Sequence, residues 1–150
     1  MLVKEIMTKN IKTITSGSNI KKAAKMMKTA AIGALPVNEL GESIWVAETM
    51  GMITDRDIVL RVIAEDKDPA LTKVSEVMTS AVFCCHEDDP IEKAAEIMAE
   101  KKVHRLVVLN EKELVTGIVS LGDLAVKAKD AQLTSKVVKK ASEYVKARDR

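Results

Sequence analysis

The sequence predicts a mixed α/β fold of the α+β kind. It is built from two copies of one β-α-β-β-α unit, packed as a single pseudo-two-fold module and followed by an amphipathic C-terminal helix. Three observations carry this. The stretch VKEIMTKNIKTI beginning at Val3 returns as VSEVMTSAVFCC beginning at Val74, and the offset of 74 − 3 = 71 holds without a gap as far as Val37 and Val108. Within each copy the apolar residues change from helical spacing (Ile20, Ala23, Ala24 and Met27; Ile91, Ala94, Ala95 and Met98) to short extended runs (Leu35 to Val37; Leu106 to Val108). Each copy closes alike, on GMITDRD at 51–57 and on GIVSLGD at 117–123. A repeat this long, found twice, marks units that bury their apolar faces on one another. A chain of 150 residues suffices for one core.

In copy one, Ile11 and Ile14 lie in a short strand-like stretch that a Ser/Gly/Asn cluster, Ser16 to Asn19, interrupts. Ile20, Ala23, Ala24, Met27 and Ala31 then form one apolar stripe against a lysine-bearing face, which predicts a helix. A strand begins at Leu35, Asn38 to Ser43 turn, Ile44 to Ile53 form the next strand, and a helix from about Asp55 carries Ile58, Val59, Val62 and Ile63. Copy two gives Val82 and Phe83 extended, a turn at Asp88 to Pro90 and a helix over Ile91 to Lys101, with Pro90 suited to its first turn. A strand over Arg105 to Leu109, a turn, a strand over Leu114 to Val119 and a helix from about Leu121 complete it. Val37 to Gly51 spans 14 positions and Val108 to Gly117 spans 9, so the copy-one hairpin carries 5 extra residues. The expected organisation is repeat one at 3–66, a polar linker at 67–73 containing Pro69, repeat two at 74–129, and a terminal segment at 130–150. That segment is a helix from Leu133, with Val137, Ala141, Tyr144 and Val145 on one face, and a basic tail including Lys139, Lys140, Lys146, Arg148 and Arg150.

Composition narrows the function. Hydrophobic residues at 47% supply a core, and 31% charged residues make a soluble surface. No apolar run approaches bilayer length and the start has no signal-peptide pattern, so no membrane role and a cytoplasmic location are expected. The net charge of +2 and 2% aromatics argue against nucleic-acid binding, the basic tail being its only foothold. Cys84 and Cys85 are the only thiols and imply no disulfide framework. With His86 they suggest zinc, but neighbouring strand residues face opposite ways, so no metal site is expected. The eight Met residues fall mostly at helix-face positions and read as core filler. With two His and no Ser/His/Asp or Cys/His set, the chain is not expected to be an enzyme.

Two features are candidates for binding. Thr54 to Asp57 and Ser120 to Asp123 read first as capping boxes, a hydroxyl and a carboxylate three residues apart satisfying backbone N–H groups at a helix start. The same geometry lets a carboxylate accept from both ribose hydroxyls while the hydroxyl and N–H groups face a phosphate. His104 and Arg105 stand where copy one has Gly33 and Ala34, so these cations are not a requirement of the repeated fold. A guanidinium fork suits phosphate oxygens, and His104 adds a donor or a charge.

On IMT and VMT, ALPV and RLVV, and the two G-h-h-[ST]-x-x-D endings (h, hydrophobic), the chain resembles a cystathionine-beta-synthase (CBS) domain pair, or Bateman module, over nearly all of residues 3–129. KKVHRLVVLNEKELVTGIVSLGDL resembles the last repeat of the gamma subunit of AMP-activated protein kinase, and IGALPV with GMITDRDIV resembles small stand-alone pairs of the hypoxic-response type. The resemblance implies a non-catalytic regulatory module, with a stress-response setting, that binds AMP, ADP or ATP in a cleft between the repeats and acts as a homodimer on an unidentified regulated partner. It implies no catalytic cofactor. It assigns Thr8, Lys12, Ile32, His104, Arg105, Ile118, Ser120 and Asp123 to a primary cleft, and Thr79, Phe83, Val103, Thr54, Arg56 and Asp57 to its mirror. Gly122 stands where the kinase subunit has a serine, which removes one polar contact. Two alternatives remain open: another adenosyl ligand, S-adenosylmethionine or NADH, or a ligand-free dimerisation scaffold in which both motifs are only caps.

Overall fold

A computed structural model describes residues 1–39, 49–136 and 138–139, with backbone alone at 49 and 50. Of the expected copy-one turn, Asn38 instead ends a strand, and positions 40–48, with the terminal-helix and tail positions Val137, Lys140, Ala141, Tyr144, Val145, Lys146, Arg148 and Arg150, lie outside the described residues. The elements are α1 (Val3–Ile6), β1 (Thr8–Lys9), α2 (Ile20–Ala30), β2 (Ala34–Asn38), β3 (Thr49–Thr54) and α3 (Asp55–Ile58), which runs on into a π turn at Val59–Ile63. They continue with α4 (Val74–Val77), β4 (Cys84–His86), α5 (Ile91–Lys101), β5 (Arg105–Leu109), β6 (Val115–Ser120) and α6 (Leu121–Lys127). Residues 131–136 are again helical. The fold is mixed α+β and the repeat is structural as well as sequential. Among the described residues no helix is long and apolar enough to cross a membrane.

The chain divides into two compact units, one of residues 12–82 and one of residues 1–11 with 83–150. Each copy therefore packs with the leading segment of the other. In the second unit the sheet order is β1-β6-β5-β4, with β1 antiparallel to β6 (Thr8 opposite Ile118) and β4 parallel to β5 (Cys85 opposite Val108). In the first unit β2 and β3 pair antiparallel. Isolated bridges there, Ile14 to Val37 and Met52 to Thr79, reproduce the corresponding contacts of the other unit. The strand expected around Ile11 to Ile14 is reduced to that one bridge. The extended stretch expected at Val82 and Phe83 appears instead at β4, where β5 supplies parallel partners.

Both long helices follow their apolar stripes. Asn19 caps α2, its Oδ1 accepting from Lys22 N at 2.8 Å, and Ala31 ends the helix in the left-handed region at φ 54°. Ile20, Ala23 and Met27 are buried with Leu35, Ile53, Val62 and Val77 in one core. Ile91, Ala94, Ala95 and Met98 are buried with Ile6, Leu106, Val119 and Leu124 in the other. The stripes differ at one flank: Ala95 is fully buried, while its counterpart Ala24 is exposed. Gly51 and Gly117 explain the opening residue of each closing motif. A Cβ at Gly51 would stand 2.5 Å from the Thr79 carbonyl oxygen, and one at Gly117 would stand 2.6 Å from that of Thr8.

Candidate functional site

The β5–β6 hairpin brings the candidate residues of copy two together. Its register sets Arg105 opposite Ser120, at the end where β6 passes directly into α6. The turn is fixed from the backbone, because Leu121 N donates to the His104 carbonyl at 2.8 Å. Ser120 is the N-cap of α6: Asp123 N donates to its Oγ at 3.1 Å, while Ser120 N and Oγ donate to Asp123 Oδ2 at 2.9 and 3.0 Å. Asp123 Oδ1 faces Lys127 Nζ at 3.1 Å, and the same ammonium donates to the Ile6 carbonyl at 3.0 Å. His104, Arg105, Ser120 and Gly122 line an open cavity of about 430 Å³, to which Ala125 and Val138 also contribute. Arg105 is half-buried, and no ion pair engages it among the described residues. Thr8 and Ile118 are neighbours across β1 and β6 in this same unit.

Copy one repeats the frame without the cations. Asp55 N donates to the Gly33 carbonyl at 3.0 Å, as Leu121 N does to that of His104. Thr54 caps α3, with Asp57 N donating to its Oγ1 at 3.1 Å and Thr54 N donating to Asp57 Oδ2 at 3.1 Å. Asp57 also accepts from the Thr79 hydroxyl at 3.1 Å and lies 3.8 Å from Arg61 Nε. Arg61 reaches on to the Val77 carbonyl at 3.2 Å, as Lys127 does to that of Ile6. Asp57 is 4% exposed. Arg56, one residue earlier, is half-buried.

Some expected residues belong to the opposite unit. Lys12 and Ile32, assigned to the primary set, lie in the unit of residues 12–82; Lys12 is exposed and Ile32 packs against that unit's core. Phe83 and Val103, assigned to the mirrored set, pack against the core of the unit that holds Asp123. The ring of Phe83 lies 5.8 Å from Lys101 Nζ.

Sequence reasoning missed Lys127 and Arg61. Their signal was present, a cation four residues after each motif carboxylate in both copies. It also missed Ala125 and Val138 as cavity walls. Burial pushes the Cys85 thiol up to about 12 and raises that of half-buried Cys84, so both hold their protons at neutral pH. Among the described residues no group of three or more His, Cys, Asp or Glu is placed to hold a metal ion.

The family model for the CBS domain matches residues 3–64 and 74–129. The chain is 40% identical over 124 residues to the CBS domain-containing protein YhcV of Bacillus subtilis, covering 83% of each. It is 30% identical over 122 residues to hypoxic response protein 1 of Mycobacterium tuberculosis, covering 81% of each. Among solved structures it is similar to the CBS domain pair of protein MJ0100 in complex with 5′-methylthioadenosine and S-adenosyl-L-methionine. The TM-score is 0.70 at 30% identity, covering 83% of this chain and 93% of that one.

Proposed function

Since the chain belongs to the CBS domain family, we propose that it is a regulatory, non-catalytic module that binds an adenosine nucleotide, AMP, ADP or ATP, and passes the change to a partner protein. The supporting observation is the cavity in which His104 and Arg105 meet Ser120, the N-cap whose hydroxyl donates to Asp123. Asp123 accepts the ribose hydroxyls, Ser120 and Arg105 face the phosphate, and His104 adds a donor. The fork of Arg105 matches phosphate oxygens, and a charge-assisted contact of this kind is worth about 1.5–3 kcal/mol. The protein acts in the cytoplasm as a homodimer, and the similarity to hypoxic response protein 1 favours a stress setting.

A second reading, another adenosyl ligand, draws on the MJ0100 pair, whose complex contains S-adenosyl-L-methionine. Charge separates the two. A sulfonium brings a positive centre towards Arg105 and His104, whereas a phosphate brings the opposite charge. A thermal-shift screen with AMP, ADP, ATP, S-adenosylmethionine, NADH and GMP decides, because a ligand selective for the native state stabilises it, by about 2.7 kcal/mol at a hundred times Kd. The expected result is a rise in Tm with the adenosine nucleotides and little with GMP. A rise with S-adenosylmethionine alone favours the second reading, and no rise with any ligand favours a ligand-free scaffold.

A further inference from the structure

Ala125 and Val138 wall the cavity of His104, Arg105, Ser120 and Gly122 on one side. The same two residues line a second open cavity, of about 640 Å³, between α6 and the segment that follows it. Gly122 and Ala125 stand about one turn apart on α6 and Ala128 is its C-cap, so small residues leave room along that side of the helix. Lys129, Lys139 and Ser135 line the second cavity, and among the described residues no acidic side chain does. The nearby acceptors are engaged elsewhere. Asp130 turns its Oδ1 to the Gln132 and Leu133 N–H groups, at 3.1 and 3.0 Å, and so caps the helical stretch at 131–136. The Leu124 carbonyl accepts from Ala128 N at 3.2 Å and from the Thr134 hydroxyl at 3.3 Å. Lys129 and Lys139 are exposed, and among the described residues no ion pair engages either.

Two cations and a hydroxyl, in a cavity without acids that shares its walls with a phosphate site, suit further phosphate. We infer that the second cavity is a subsite for the β and γ phosphates, so that the protein prefers ADP and ATP to AMP. This rests on the reading of the first cavity as the site of ribose and α-phosphate. The division of cations fits it. The rigid fork of Arg105 suits the one phosphate whose place is fixed by the ribose. Lysine ammoniums are point charges on flexible stems, and they suit outer phosphates whose positions change with chain length. The terminal segment is then a wall of the ligand site. Leu133 holds it to the core that contains Leu124 of α6, and Asp130 starts the helical stretch that leads to Lys139.

Titration calorimetry of AMP and of magnesium-free ATP against wild type and Lys129→Ala/Lys139→Ala tests it. Wild type should bind ATP more tightly than AMP. The double variant should weaken ATP by about 3- to 30-fold, the worth of two exposed ionic contacts, and leave AMP nearly unchanged. Retained AMP binding also shows that the variant is folded. Added salt should weaken ATP more than AMP in wild type, and that difference should shrink in the variant. If wild type binds AMP and ATP equally, or the variant keeps the wild-type ratio of the two affinities, the outer subsite is wrong while the inner site stands. Equal loss of both ligands in the variant would also overturn it, since the lysines would then act on the inner site or on the fold. If wild type binds neither nucleotide, the inner site fails and the subsite fails with it.

Discussion

Thr79 donates its hydroxyl to Asp57 at 3.1 Å, whereas Thr8, its counterpart in the repeat, makes no hydrogen bond to Asp123 among the described residues. The two motif carboxylates are therefore unequal. Asp57 is 4% exposed and committed to Thr54 and Thr79. The Asp123 side chain is 14% exposed and, among the described residues, holds Ser120 and Lys127 alone, so more of its acceptor capacity remains for a ligand.

Asp57→Ala should act mainly on stability, at about 1–3 kcal/mol, because it strands a part-buried hydroxyl. It should leave affinity at the Ser120–Asp123 site nearly unchanged. Asp123→Ala should weaken AMP, ATP and adenosine alike, since the ribose is common to them. Urea unfolding and calorimetry read the two effects separately; equal losses of affinity in both variants would contradict the assignment, and a loss in Asp57→Ala alone would reverse it.

The close approach of each closing-motif glycine to a backbone carbonyl makes its substitution costly. Gly117→Ala forces a Cβ onto the Thr8 carbonyl oxygen, 2.6 Å away, and must loosen the β1–β6 pairing. Gly51→Ala does the same against Thr79. Each should destabilise by about 1–3 kcal/mol. Gly17→Ala is the control, as nothing lies within 4 Å of its would-be Cβ. Gly117→Ala and Gly17→Ala with the same urea midpoint would contradict the close contact.

Burial governs the thiols. Cys85, raised to about 12, should resist a thiol-specific reagent in the native protein at mildly alkaline pH, and Cys84 should react more slowly than free cysteine. Both should react fully in denaturant. Rapid release of two equivalents from the native protein would show that β4 is less protected than described.

What the sequence revealed was local. The helix expected over Ile91 to Lys101 has those bounds in the structure, because one stripe of four apolar residues and Pro90 define it without reference to other elements. The Arg105–Ser120 pairing was not legible, because Leu109 pairs with Val115 and the register shifts between Val108 and Leu109, which hairpin length alone does not record. The exchange of leading segments between copies was not legible in periodicity, which does not say which strand edge a segment joins; only the family resemblance, which set Thr8 with Asp123 and Thr79 with Asp57, implied it. Residues 1–11 join the sheet of copy two through Thr8 and Ile118, contacts between the ends of the chain. The π turn at Val59–Ile63 was likewise hidden: Ile58, Val59, Val62 and Ile63 read as one apolar face, yet Val62 alone is fully buried and Val59 and Ile63 are more than half exposed. Val138 as a cavity wall also depends on packing that no spacing records.

The central claim is that the cations of copy two make the phosphate site. Titration calorimetry of AMP and of adenosine against wild type and Arg105→Ala tests it most directly. Losing one charge-assisted contact costs about 1.5–3 kcal/mol, or roughly 10- to 150-fold in affinity. AMP should weaken by that factor in Arg105→Ala while adenosine, which has no phosphate, changes little. Equal weakening of AMP and adenosine, or AMP binding unchanged by the substitution, would contradict it.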